Sequence, residues 1–179
     1  MAFSFLDLDQ YTRKAMVEEL ELDLKNGTLY LSERLSRYGK EAYTDLLRKA
    51  MLEGNDQSLA EDLRRLKCFN PTLLRKKQTG GFSEVKMPVN APETLAEGEF
   101  NRFYIRAICR RSLVEAAACE VYRAKEVSDH RIESVQKIGK QIDPSQLLED
   151  LRTHPGVDTA LGLPAGPNSG LSIKIKILK

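Results

Sequence analysis

The stretch Glu99-Phe-Asn-Arg-Phe-Tyr-Ile-Arg-Ala-Ile-Cys-Arg-Arg111 constrains this chain more than any other. Read as a helix, it sets Arg102, Arg106 and Arg110 in one row at four-residue spacing, with Arg111 beside them. Phe100, Phe103, Tyr104, Ala107 and Ile108 fall on the opposite side. An aromatic face that requires burial is thus joined rigidly to an arginine face that requires an anion or a carboxylate. The aromatic side reads as the spine of a C-terminal core, against which Val85, Met87 and a strand bearing Ile173, Ile175 and Ile177 are expected to pack.

The 179 residues fit one domain, or one domain with a small appendage, and suffice to bury a core without disulfides or metal. Hydrophobic residues at 41% and charged residues at 30% describe a globular chain rather than a disordered one. A net charge of +2 excludes a uniformly basic nucleic-acid binder. Charge is local instead. Arg64, Arg65, Lys67, Arg75, Lys76 and Lys77 form one basic block, and the long-helix arginines form another. Asp7, Asp9, Glu18, Glu19, Glu21 and Asp23 make the first helix acidic and read largely as a solvated face.

Cys68, Cys109 and Cys119 have neither CxxC nor Cys/His ligand spacing. No structural zinc and no cofactor are therefore expected, and three buried thiols suit a reducing cytosol. The N-terminal Met-Ala-Phe-Ser-Phe-Leu-Asp lacks the basic start and long apolar run of a signal peptide. No stretch reaches the length of a membrane span, so no membrane partner is expected.

Helix and strand signals divide the chain in two. A first helix is expected from Asp9 to Lys25, stopped by Asn26-Gly27. Ser32 caps a short turn that ends near Tyr38-Gly39. Lys40 to Glu53 and Gln57 to Leu66 repeat apolar residues at helical spacing. Asn70-Pro71 reads as the start of a further short helix that ends before Gly80-Gly81. Phe82 to Val89 then alternates, predicting a strand with Val85, Met87 and Val89 inward. Asn90 and Glu93 have capping-box spacing, and the long helix is expected over about 91–117, with Gly98 able to kink it. A second strand is expected from Glu120 to Val127, and Asp143-Pro144 caps a helix from Ser145 to Arg152. The glycine- and proline-rich run Gly156 to Gly170 reads as an ordered loop. The last run, 171–178, alternates strictly, with Ile173, Ile175 and Ile177 on one side. The expected class is α+β: a helical region over 1–79, and an α+β region over 80–179 with one long helix on a small, mostly antiparallel sheet. The two read as one cooperative unit, with a boundary expected near Lys76 to Gly81.

Three candidate sites follow. The row Arg102, Arg106, Arg110 and Arg111 suits phosphate or carboxylate binding, because guanidinium groups bind such groups bidentately. No aromatic residue interleaves with the arginines on that face, so it reads better as an assembly surface than as a stacking platform. The block Arg64, Arg65, Lys67, Arg75, Lys76 and Lys77 is a candidate nucleic-acid backbone contact, although no docking motif accompanies it. The Ile173, Ile175 and Ile177 strand either completes the protein's own sheet or adds to a neighbour's edge.

Weaker signals complete the reading. Ser83-Glu-Val-Lys86 carries the Glu-x-Lys pattern that metal-dependent nucleases place on a strand, with Glu84 ligating Mg²⁺ and Lys86 stabilising the phosphate. The nearest preceding acid, Asp62, falls on a predicted helix. His130 and His154 sit in loop-like contexts without partner ligands. No nucleophile elbow, Walker loop or dinucleotide fingerprint is present.

Glu97-Gly-Glu-Phe-Asn-Arg-Phe-Tyr-Ile-Arg106 and Gly156-Val-Asp-Thr-Ala-Leu-Gly-Leu-Pro-Ala-Gly-Pro-Asn-Ser-Gly170 together resemble small bacterial and prophage-associated proteins. The likeness extends through Asn26-Gly-Thr-Leu-Tyr30 and Val121-Tyr-Arg-Ala-Lys125. It carries no catalytic residues. It implies a tailed-phage virion component, such as a head or head–tail connector protein, in the virion or the host cytoplasm. The leading expectation is a non-enzymatic assembly protein, as a homo-oligomer or with other subunits. A nucleic-acid-binding protein is the alternative, and a Mg²⁺-dependent nuclease the third reading.

Overall fold

The computed structural model describes residues 3–127, 132–155 and 169–176. The fold is α+β, with two small antiparallel sheets. Helix α1 spans Gln10–Asn26. The Asp9 side chain caps it by accepting from the Thr12 amide at 2.9 Å. Gly27, at φ 67°, closes it in the left-handed conformation that a Cβ disfavours. Its buried face holds Thr12, Ala15, Met16, Leu20 and also Glu19 and Asp23, so the acidic residues do not all face solvent as expected.

Helix α2, Arg37–Glu53, starts earlier than its apolar spacing suggested. Ser36 caps it, and Tyr38-Gly39 lies within its first turn instead of ending a preceding one. Gly39 is required there by close approach. A Cβ at this position would sit 1.9 Å from the Cys68 carbonyl oxygen. Helix α3, Asp56–Arg65, is opened by a reciprocal capping box between Asn55 and Ser58.

The segment after Pro71 is a strand, not the short helix its sequence suggested. Strand β1, Thr72–Lys76, pairs in register with β2, Phe82–Lys86, from Thr72↔Lys86 to Lys76↔Phe82. Gly80 and Gly81, at φ 90° and 79°, close the turn between them. Asn70 does not cap a helix; its Nδ2 donates to the Leu35 carbonyl at 3.2 Å, tying the hairpin base to the body. Five rungs of cross-strand pairing override the helix propensity of Leu, Arg and Lys. Nor does β2 pack with the terminal strand. Val85 and Met87 are half-buried, and Val89 is 89% exposed.

Helix α4, Ala91–Val114, is the axis of the molecule. It runs through Gly98 without interruption, and Asn90 makes no side-chain cap; Glu93 pairs with Arg64 instead. It packs against α1 and α3 and against α6, which spans Pro144–Thr153 and is capped by Asp143. The short helix α5 spans Ile132–Val135. Strands β3 (Ala118–Arg123), β4 (Gln141–Ile142) and β5 (Leu171–Lys176) form the second sheet, ordered β4-β3-β5. One apolar core joins both halves: Met16 and Leu20 of α1, Tyr43 and Leu47 of α2, Leu59 and Leu63 of α3, with Phe100, Phe103, Tyr104 and Ile108 of α4. Leu147, Leu151, Val121 and Ile173 continue it. The composition change near Lys76 to Gly81 is therefore a hairpin turn rather than a break in the core. Expectations for His130, Gly156 to Asn168 and Ile177 lie outside the described residues.

Candidate functional site

The arginines of α4 point inward. Arg106 is fully buried, and its partners come from α1. Its Nε donates to Glu19 Oε2 at 2.9 Å, and Nη1 and Nη2 grip Asp23 at 2.6 and 2.9 Å. Glu19 also receives Arg152 of α6, whose Nε lies 3.0 Å from Oε2. Burial alone would raise the Glu19 pKa, but the Arg152 hydrogen bonds and the Arg106 charge reverse this and hold it below the ordinary 4.5. Burial likewise opposes the Arg106 charge, and Asp23 and Glu19 overcome it, so its pKa is raised.

The rest of the row is engaged too. Arg102 is buried; its Nη2 donates to the Leu151 carbonyl and, at 3.0 Å, to the His154 carbonyl, capping the end of α6. Arg110 pairs with Glu18 at 2.6 Å. Arg111 grips Asp9 at 2.8 and 2.9 Å and Thr12 Oγ1 at 2.7 Å. The expected assembly or anion-binding face is thus an internal charge network. Its acids come from the chain itself, and Arg102 and Arg106 are closed to any neighbour. The partners were legible in one respect: Glu19 and Asp23 share the helical face of Met16 and Leu20.

Glu99 lies beside this network in an apolar setting. Burial pushes its pKa up to about 7; Arg102 and Arg106 lower it, and the Asp23 charge adds to the rise. Burial, with Glu99 and Tyr30 nearby, also pushes the Tyr43 phenol well above its usual range. The Tyr43 hydroxyl makes no hydrogen bond among the described residues.

The terminal strand is equally occupied. β5 pairs with β3 from Ala118↔Lys176 to Arg123↔Leu171, Ile173 is buried, and Ile175 is half-buried. Its outer edge is covered: the Ile175 amide donates to Asp7 Oδ2 at 3.0 Å, and Asn101 Nδ2 donates to the Leu171 carbonyl at 2.9 Å. Strand addition to a neighbour through Ile173 and Ile175 is therefore replaced by pairing within the protein's own sheet.

The basic block divides. Arg64 pairs with Glu93, and Arg65 with Asp62 at 2.6 Å. Lys67 is exposed at the end of α3. Arg75, Lys76 and Lys77 belong to the projecting hairpin, where every residue from Leu74 to Phe82 is exposed. Lys86 joins them at the base. Among the described residues, no carboxylate forms an ion pair with these four cations. Alternation along the strands places Leu74, Lys76, Phe82, Glu84 and Lys86 on one face, with Leu74 71% and Phe82 66% exposed. Leu73 and Val85 lie on the other face, half-buried.

Glu84 and Lys86 therefore stand on an open ribbon, and Glu84 accepts from the Thr72 hydroxyl at 2.5 Å. No group of three His, Cys, Asp or Glu side chains able to hold a metal occurs among the described residues. The nuclease arrangement is not assembled. A shallow groove of about 470 Å³ between α1 and the end of α2 is lined by Gln10, Arg13, Lys14, Val17, Glu18 and Leu52. Arg13 there donates to the Met51 and Gly54 carbonyls at 2.8 and 2.9 Å, so it serves the α2 terminus. No helix among the described residues is long and apolar enough to cross a membrane. No protein-family model, curated protein or solved structure matches this chain.

Proposed function

We propose that this is a non-enzymatic binding protein that holds a place in a larger assembly, with the β1–β2 hairpin as its contact element. One contrast carries this reading. The α4 arginines are paired within the body, whereas the hairpin's Arg75, Lys76, Lys77 and Lys86 have no ion-pair partner among the described residues and stand beside exposed Leu74 and Phe82. Exposed cations and apolar side chains on one ribbon add nothing to the core, which supports a role toward another molecule. The finer form of this reading is a tailed-phage head or head–tail component, acting in the virion or host cytoplasm. It rests on the resemblance carried by the segments around Glu97 to Arg106 and Gly156 to Gly170.

The test is light scattering coupled to size exclusion. The whole chain is compared with one whose 74–82 segment is replaced by a short Gly-Asn turn. Each is run alone over a wide concentration range, with duplex nucleic acid and with an acidic polypeptide. At least one condition should give a complex that the shortened chain fails to form. A monomer in every condition, or complexes unaffected by the replacement, would overturn the reading.

A further inference from the structure

We infer that the β1–β2 hairpin is a ribbon for duplex DNA, entering the major groove with Lys76, Lys77 and Lys86 on flanking phosphates and Phe82 toward the base edges. The inference rests on the reading of the hairpin as the contact element and names its partner.

Charge segregation is the first argument. The segment from Thr72 to Lys86 holds four cations and the single acid Glu84, a net charge of +3 in a chain whose total is +2. The remainder is therefore −1, so the hairpin carries the chain's net positive charge. An acidic protein surface could meet these cations as well. The shape favours a duplex, because a two-stranded ribbon matches the roughly 12 Å width of the DNA major groove. Five residues per strand reach about 17 Å, or roughly half a helical turn. RNA duplexes have a major groove too deep and narrow for it.

Apolar placement is the second argument. Phe82 pairs with Lys76 on the rung beside the turn, and Leu74 lies two rungs back on the same face. Both are exposed and outside the core. A ribbon that needed only solubility would carry polar residues there. An aromatic ring next to a lysine at a ribbon tip can meet thymine methyl groups or a base step while the cation reaches a phosphate.

The test is fluorescence anisotropy with a labelled DNA duplex, a matching RNA duplex and polyglutamate, across salt concentrations. DNA should bind more tightly than RNA, and polyglutamate weakly. Three phosphate contacts predict a log–log salt slope of about −2.7, or roughly a 40-fold loss of affinity between about 50 and 200 mM salt. The combined variant Arg75→Ala, Lys76→Ala, Lys77→Ala, Lys86→Ala should abolish binding while keeping the wild-type unfolding midpoint, since these side chains are outside the core. Phe82→Ser should weaken binding several-fold with the slope unchanged. Absence of DNA binding at low salt, or binding that survives the combined variant, would overturn the inference. Preferential, hairpin-dependent binding of polyglutamate would also overturn it, yet leave the hairpin standing as the contact element.

Discussion

At the scale of single residues, the most consequential groups are charges that water does not reach. Glu19 and Glu99 both lie in the interior, and they respond to pH in opposite senses. Glu19 is held below its ordinary value by Arg152 and Arg106 despite burial, so its contribution to stability is present above about pH 4.5 and is lost as pH falls. Glu99 is raised by burial to about 7, so it is more readily ionised in the unfolded chain than in the folded one. Its effect is neutral below about pH 4.5 and becomes a growing cost as pH rises towards 7. The shift corresponds to a cost on the order of 3 kcal/mol once Glu99 is fully ionised. Glu99→Gln should therefore raise stability by that order at pH 8 and change it little at pH 4. Urea unfolding of both proteins at the two pH values checks this, and an equal effect at both would refute it.

Between elements, the Arg106 cluster fixes how α1 sits on α4. Apolar ridges set the packing of the two helices, and a guanidinium held by Glu19 and Asp23 adds directional contacts that fit one register. Arg106→Met keeps the volume and leaves two carboxylates buried without that cation. The expected loss is about 3–5 kcal/mol. Adding Glu19→Gln and Asp23→Asn should recover much of it; denaturant midpoints of the single and triple variants decide.

The same cluster shows what the sequence could and could not reveal. Signals confined to a few neighbouring residues were legible: Asp9 and Gly27 bounding α1, Asp143 opening α6, and the alternation of β5. The aromatic side of α4 was also recognisable as core. The destination of its arginines was not, because Glu19 is 87 residues from Arg106 in the chain. Strand β1 was hidden for a related reason. Leu73, Leu74, Arg75 and Lys76 favour a helix locally, and only pairing with Phe82–Lys86 makes them extended. Of the hairpin's cations, Arg75, Lys76 and Lys77 were visible as a basic block, but their shared projection from the body was not.

For the molecule as a whole, the hairpin tip from Leu74 to Phe82 lies outside the core and is exposed throughout. Trypsin should cut first after Arg75, Lys76 or Lys77, which are exposed, while Arg102 and Arg106 are protected by burial. The two fragments should co-elute on size exclusion, because α1 and α3 pack directly on α4 across the cut. Denaturing gels before and after chromatography read both outcomes; early cleavage within α4, or separation of the fragments, would contradict this arrangement. The junction at Glu19 also sets a schedule for synthesis. Helix α1 leaves the ribosome with Glu19 and Asp23 on its apolar face, and the arginine that binds both lies 87 residues beyond Glu19. At usual elongation rates the wait is about 4 to 17 s. Slow codons between positions 23 and 106 would prolong the interval in which that helix is open to chaperones and to other nascent chains.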